Sequence, residues 1–176
     1  AVAYYQGTGK RLFLDVMCRY ADCIARTFGR GEQQLRGYPG HEEIELALVK
    51  LAQATGESRF LDLAAFFIDE RGQKPYYYDL EKAREKRPDS WMDHPGPNNL
   101  PPYNHMQAHA PVREQRDADG HAVRACYLYA GMAGLAKATG DQSLADACHA
   151  LWDSVTTRRM YITGGIGSSR FGERFS

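Results

Sequence analysis

The sequence lacks the features that mark membrane proteins and proteins that bind nucleic acids. No stretch approaches the ~20 apolar residues that cross a bilayer, and the first residues do not show a basic region followed by an apolar block. Lysine and arginine together number 22, as do aspartate and glutamate, so the formal net charge is zero. Non-specific attraction to a nucleic acid requires clustered, uncompensated positive charge. We therefore expect neither a membrane nor a nucleic acid as a partner.

Cysteine is also scarce, and its spacing is not that of a metal site or a redox pair. The four cysteines contain no C-x-x-C pair, and the first two would face different sides of a helix. We expect all four to be small apolar core residues. Such use of cysteine fits a reducing compartment, so a cytoplasmic location is the expectation. These cysteines are Cys18, Cys23, Cys126 and Cys148.

A Thr-Gly turn followed by apolar residues recurs along the chain, at 7–15, 52–64 and 136–147. Glycine supplies the left-handed backbone that ends a helix, and the polar residue after it can begin the next helix. Apolar residues recur every three or four positions, and no convincing two-residue period of a strand is present. The sequence therefore predicts an all-α fold built from helical hairpins.

Helical hairpins that cannot bury their apolar faces alone must stack, either into an open solenoid or into a closed toroid. Here the spacing is irregular, and an insertion from Arg87 to Pro102 contains five of the eight prolines. We expect this insertion to be a surface loop rather than a linker between domains. The irregular spacing favours a barrel whose loops build a site.

Three segments interrupt the helical pattern and supply polar side chains. Gly-His stands at an expected helix start twice, at His41 and at His121, so both imidazoles would project from the same end of their hairpins. Either nitrogen of such a ring can hydrogen-bond a sugar hydroxyl, although a histidine there can also simply cap its helix. The third segment, 160–169, is rich in glycine and leads to Glu173.

Metal and phosphate sites are weaker readings of the same segments. His41 and Glu45 would share a helix face but lack a third ligand, and the pair of His105 and His109 is confined between prolines, which favours a polar loop. The glycine-rich segment lacks the Lys-Ser/Thr ending of a phosphate loop. We assign no metal ligand in this chain.

Taken together, four phrases give the sequence a resemblance to glycoside hydrolase family 127, whose activity is β-L-arabinofuranosidase. They follow the family's order and span most of the chain. They are Gly-Tyr-Pro-Gly-His-Glu-Glu-Ile-Glu-Leu-Ala-Leu-Val-Lys-Leu (37–51), Pro-Val-Arg-Glu-Gln (111–115), Gly-His-Ala-Val-Arg-Ala (120–125), and Met-Tyr-Ile-Thr-Gly-Gly-Ile-Gly-Ser (160–168) with Gly172-Glu173.

The resemblance implies an (α/α)6 barrel, of which residues 1–176 would be an incomplete catalytic domain that lacks portions at both ends. It implies that Glu173 is the general acid/base and that His41 and His121 contact the sugar; His109 lies in a family motif without an assigned role. It also implies zinc and a zinc-bound cysteine nucleophile in the complete enzyme, whose residues this chain does not contain. The implied partners are an L-arabinofuranosyl oligosaccharide or glycoconjugate and the remainder of the same barrel.

Two other functions remain open at this point. The first is a different α/α-barrel carbohydrate enzyme, an unsaturated uronyl hydrolase or a sugar epimerase, which would use an acid/base other than Glu173. The second is a helical-repeat binding module without catalysis, in which no pocket would form around His41, His121 and Glu173.

Overall fold

A computed structural model describes residues 1–96 and 99–175, and this part of the chain is helical, with isolated β-bridges instead of strands. The α-helices are α1 (Val2–Thr8), α2 (Leu12–Thr27), α3 (Ile44–Thr55), α4 (Arg59–Glu70), α5 (Tyr77–Glu85), α6 (Ala122–Thr139) and α7 (Gln142–Ser154). Short 3-10 turns lie at Trp91–Asp93, Asn104–Met106 and Val112–Glu114, and a π-helical turn at Val155–Arg159 follows α7. The all-α prediction is confirmed.

The Thr-Gly turns end helices as predicted. Gly56 and Gly140, which follow α3 and α6, have φ values of 76° and 73°, in the left-handed region. The threonine before each glycine donates its hydroxyl to the carbonyl four residues earlier, at 2.8 Å in both cases. These turns fold α3 onto α4 and α6 onto α7. Gly9 ends α1 before α2 in the same left-handed conformation, so all three predicted turns form.

The core lies where α3, α4 and α6 pack together. Its fully buried side chains include Val49, Phe60, Ile68, Leu128 and Met132. Helices α3 and α6 approach closely, because a Cβ atom at Gly131 of α6 would lie only 3.0 Å from the Glu45 Cβ. This close contact places the start of α3 beside the middle of α6.

Helix α5 was not predicted. Its sequence is dominated by charged residues, and only Tyr77 and Tyr78 are buried, which hides the helical period. The expected insertion does form loop and 3-10 structure from Arg87 to Pro102, although Pro97 and Asn98 lie outside the described residues.

The expectation for the cysteines is largely wrong. Cys18 is buried in the core, but Cys23 and Cys126 are exposed and Cys148 is half-buried. The reason is helical geometry: the core side of α2 carries Leu14, Cys18 and Ala21, and five residues after Cys18 the helix has turned away. All four are free thiols.

Across residues 1–96 and 99–175, no helix combines the length and the apolar character needed to cross a membrane. A cytoplasmic location remains a prediction. Several large apolar side chains of α2 and α7 are exposed, and they include Leu12, Phe13, Tyr20 and Trp152.

Candidate functional site

His121 is the residue on which the candidate site is centred. It is the N-cap of α6, and its Nδ1 accepts a hydrogen bond from the backbone N–H of Arg124 at 3.4 Å. Because Nδ1 is an acceptor, the proton of the neutral ring is on Nε2. The His121 Nε2 lies 2.7 Å from Glu173 Oε2 and can therefore donate to that carboxylate.

The surroundings of His121 favour its neutral form. Burial and the positive charge of Arg124 lower the pKa of His121, and Glu173 opposes this shift without reversing it. The side chain of His121 is only 13% exposed, whereas that of Glu173 is 74% exposed. The pair therefore joins a fixed, neutral donor to a carboxylate that faces solvent.

Glu173 lies on a turn that is tied to the start of α6. Its carbonyl accepts a hydrogen bond from Ala122 N at 3.0 Å, and Phe175 N donates to Gly120 O at 3.1 Å. Glu173 has a φ of 48°, a left-handed conformation that costs energy for a residue other than glycine. These backbone contacts hold that conformation and place the carboxylate beside His121.

Arg174 anchors the turn that carries Glu173. The sequence did not predict this role. It is 8% exposed, and its guanidinium contacts Asn104 Oδ1 and lies 3.4 Å from Asp119 Oδ1. Arg174 also forms an isolated antiparallel bridge with His121. Only the position immediately after Glu173 could have indicated it in the sequence.

His41 lies near His121. It was predicted to stand at the start of a helix, and this prediction is wrong. The helix α3 begins at Ile44 with Glu43 as its N-cap, so His41 precedes the helix in a loop. The ring centroid of His41 is 6.4 Å from that of His121 and 6.1 Å from that of Tyr127. The structure thus brings His41, His121 and Glu173 to one face, and the His41 side chain is 43% exposed there.

A buried ion-pair cluster supports the loop that carries His41. Arg71 is fully buried, and its guanidinium lies 3.0 Å from Glu42 Oε1 and 3.2 Å from Glu45 Oε1. It also donates to the carbonyls of Pro39 and Met106, each at 2.9 Å. Arg71 therefore joins the loop before α3 to the 3-10 turn at Asn104–Met106.

Within this cluster the charged form of Glu42 is disfavoured. Burial raises the pKa of Glu42 to about 7, although Arg71 opposes the shift. The approach of Arg71 to Glu42 is close but not aligned as a hydrogen bond, and both carboxyl oxygens of Glu42 lack a hydrogen-bond partner among the described residues. An unpartnered buried carboxyl group is costly, so Glu42 is poised between its charged and neutral forms.

His105 lies beneath His121, in the turn where only a polar loop was expected. No α-helix forms here, as predicted, since residues 104–106 make a single 3-10 turn. His105 is nevertheless buried, with only 6% of its surface exposed. Its ring centroid is 5.2 Å from that of His121 and 4.8 Å from that of Trp91. Burial, with the positive charge of Arg124, lowers the pKa of His105 to about 4.

A groove of about 580 Å³ opens beside Glu173. It runs between the start of α6 and the glycine-rich segment and is lined by Val123, Cys126, Tyr127, Ile166, Gly167 and Glu173. Clefts lined by apolar side chains with a few polar groups are typical of small-molecule sites. The groove can therefore present the carboxyl group of Glu173 to a bound molecule, with His121 behind that carboxyl group.

The described residues do not fit a metal site. Across 1–96 and 99–175, no group of three or more His, Cys, Asp or Glu side chains is arranged to hold a metal ion. No zinc-dependent step can therefore be derived from these residues.

Comparison with known proteins gives a consistent result. The family model for "Beta-L-arabinofuranosidase, GH127 catalytic domain" matches residues 1–176. A curated relative from Bifidobacterium longum subsp. longum, named non-reducing end β-L-arabinofuranosidase, is 45% identical over 176 residues, which are 100% of this chain and 26% of the relative.

Two solved structures are similar over the whole chain. A GH127 β-L-arabinofuranosidase from Geobacillus stearothermophilus T6 matches with a TM-score of 0.93 and 56% identity, covering 100% of this chain and 27% of that one. A GH127 β-arabinofuranosidase matches with a TM-score of 0.80 and 46% identity, covering 100% of this chain and 24% of the other. The chain thus spans about a quarter of the length of these relatives.

Proposed function

Since this chain belongs to the catalytic-domain family of the GH127 β-L-arabinofuranosidases, we propose that it supplies the acid/base side of a glycosidase active site. The family resemblance expected from the four motifs is confirmed, as is the expectation of an all-helical segment that matches part of these enzymes, which are (α/α)6 barrels. The observation that supports the proposal is the contact of 2.7 Å between Glu173 and the neutral, N-capping His121.

Glu173 is proposed as the residue that transfers the proton. Cleavage of a glycosidic bond needs a proton on the departing oxygen, and a retaining enzyme then uses the same carboxylate to activate water. The exposed carboxyl group can reach a ligand in the groove, while one of its oxygens accepts from His121 Nε2. Because the neutral imidazole donates in both protonation states of Glu173, it positions the carboxyl group throughout the cycle.

His41 and His121 are proposed to contact the sugar, His121 by van der Waals contact, since its two ring nitrogens already bond Arg124 N and Glu173. Their rings lie 6.4 Å apart on the face that also carries Glu173. The loop that carries His41 is held in place. Arg71 bonds the carbonyl of Pro39, and Arg124 Nη1 donates a hydrogen bond of 2.7 Å to Gly40 O. A rigid loop holds the ring in one orientation, which favours selective recognition of hydroxyl groups.

The substrate is proposed to be a terminal L-arabinofuranosyl unit of an oligosaccharide or glycoconjugate, by analogy with the named activity of the relatives. The nucleophile and the zinc that the family implies are proposed to come from parts of a family-length catalytic domain outside this chain. The exposed apolar side chains of α2 and α7 would contact the other hairpins of that barrel.

The two other functions are less well supported. Family membership over the whole chain argues against an unsaturated uronyl hydrolase or an epimerase. A binding module without catalysis gives no reason for a carboxylate on a left-handed backbone turn beside a histidine of fixed tautomer.

The test uses a polypeptide of family length that contains this chain. We expect it to release arabinose from a β-L-arabinofuranoside, and we expect Glu173→Gln to lower kcat by ~10²–10⁴ because the amide cannot transfer the proton. His41→Ala should mainly raise KM. Near-normal turnover by the Glu173→Gln variant would remove Glu173 from the proposed role.

A further inference from the structure

Trp91 is a large exposed side chain close to the candidate site, and the proposed reaction does not use it. Trp91 is 63% exposed, although tryptophan is usually well buried. It contacts the buried His105 ring, and His105 in turn contacts His121. The indole is therefore separated from the acid/base pair by one imidazole ring.

The turn that carries Trp91 is held firmly. Ser90 and Asp93 form a capping box around it, in which Ser90 N donates to Asp93 Oδ2 at 2.8 Å. Arg87 pairs with the other carboxyl oxygen of Asp93 at 2.8 Å, and Lys82 lies 3.4 Å from Oδ2. An aromatic ring fixed on a rigid turn loses little conformational entropy when a ligand packs on it.

The indole also has an open face. Its plane makes an angle of 74° with the His105 ring, an edge-to-face contact that leaves much of the indole surface accessible. One face of a sugar ring presents C–H groups, and these pack well against an aromatic face. Trp91 thus has the exposure, the rigidity and the position required to bind a sugar ring.

The location of Trp91 indicates which part of a substrate it would bind. His105 approaches the turn of Glu173, because a Cβ atom at Gly172 would lie 3.1 Å from His105 Cε1. The loop of Trp91 reaches the same turn, since a Cβ atom at Gly96 would lie 3.9 Å from Arg174 Nη1. Trp91 therefore lies on the side of Glu173, where the departing oxygen and the group attached to it must be.

We propose that Trp91 forms a second sugar subsite, which binds the sugar residue that leaves when the terminal L-arabinofuranose is removed. This inference rests on the proposed function, because it takes Glu173 as the group that protonates the leaving oxygen. It makes Trp91 a determinant of specificity that discriminates between disaccharides and simple alkyl glycosides.

The experiment compares two substrates in the family-length polypeptide. One is methyl β-L-arabinofuranoside, whose leaving group is too small to reach Trp91, and the other is a disaccharide with a terminal β-L-arabinofuranosyl unit. We expect Trp91→Ala to lower kcat/KM for the disaccharide about tenfold, which corresponds to the loss of one good aromatic contact. For the methyl glycoside we expect Trp91→Ala to change kcat/KM by less than about twofold.

Two variants control for structural damage. Trp91→Phe keeps an aromatic face and should retain most of the disaccharide activity. Trp152→Ala removes a tryptophan of α7 that is proposed to pack on the other hairpins, so it should affect both substrates alike and leave the ratio of their kcat/KM values unchanged. The inference is overturned if Trp91→Ala lowers kcat/KM equally for both substrates or leaves the disaccharide unaffected. If the unaltered protein cleaves neither substrate, the proposed function itself has failed.

Discussion

Glu42 and Glu173 are two glutamates of the same candidate site, and their surroundings are opposite. Glu42 is completely buried next to His41, and burial raises its pKa to about 7. Glu173 projects from a turn, with its side chain 74% exposed and its carboxylate beside His121. By pKa alone Glu42 would be the preferred general acid, since a catalytic pKa near neutrality is favourable.

Geometry reverses that preference. No ligand can reach the carboxyl group of Glu42, which contacts the fully buried Arg71, whereas Glu173 borders an open groove. A perturbed pKa is a common property of catalytic residues, but structural ion pairs in a core produce it as well. A shifted pKa therefore indicates a catalytic role only where the group is also accessible to a ligand and correctly oriented.

The largest effect on stability is expected at the ion-pair cluster. Arg71→Met leaves Glu42 and Glu45 buried without their cation, so we expect the free energy of unfolding to fall by about 3–5 kcal/mol. The matched control is Arg113→Met, because Arg113 pairs with Asp69 and Asp141 at 31% side-chain exposure. Partly exposed pairs contribute only about 0–1 kcal/mol. Urea unfolding of both variants measures the difference, and equal losses would contradict a structural role for the buried cluster.

The pH dependence of stability gives a second way to separate the two glutamates. Between pH 4.5 and about 7 the folded protein holds a proton on Glu42 that the unfolded chain has released. The free energy of unfolding should therefore fall as the pH rises through this range, by a total on the order of 3 kcal/mol. His105 has the opposite slope, because its folded pKa of about 4 lies below the unfolded value of 6.5.

The Glu42→Gln variant isolates the contribution of Glu42. Subtracting the variant's unfolding free energy from that of the unaltered protein at each pH cancels His105 and the other groups. The difference should decline from pH 4.5 to 7 and then level off. Parallel curves for the two proteins would show that Glu42 ionises normally in the fold.

A smaller effect is expected at the turn that carries Glu173. Gly167 has a φ of 71°, and a Cβ atom there would lie 2.8 Å from the Ala122 Cβ and 3.3 Å from Glu173 O. Gly164 has a similar φ of 83°, but a Cβ atom there would meet nothing within 4 Å. Gly164→Ala should cost about 1 kcal/mol through its backbone conformation alone. Gly167→Ala should cost more and should also lower kcat, because it displaces Glu173; equal kcat values in the two variants would contradict this.

The sequence predicted the local parts of this arrangement. The Thr-Gly helix ends at Gly56 and Gly140 and the position of His121 at the start of α6 follow from residues near one another in the chain. The start of α3 was placed too early, because Glu43 rather than Gly40 precedes the first helical residue.

Contacts between distant residues could not be predicted in the same way. The pairing of Arg71 with Glu42 and that of Arg174 with Asn104 join segments that only the packing of the hairpins brings together. The contact of Trp91 with His105 likewise depends on how the insertion folds back over α5 and the 3-10 turn. A charged residue or a tryptophan in a proline-rich loop carries no local signal of such a partner.

The most direct test of the account is chemical rescue of Glu173→Ala in the family-length polypeptide. With 4-nitrophenyl β-L-arabinofuranoside as substrate, the variant should turn over slowly because water is no longer activated. Added azide should accelerate it, because this anion can attack the anomeric carbon without a general base and is released as arabinosyl azide. The unaltered protein should show no such acceleration. If azide leaves the Glu173→Ala variant as slow as before, or if that variant needs no rescue, Glu173 is not the residue that transfers the proton.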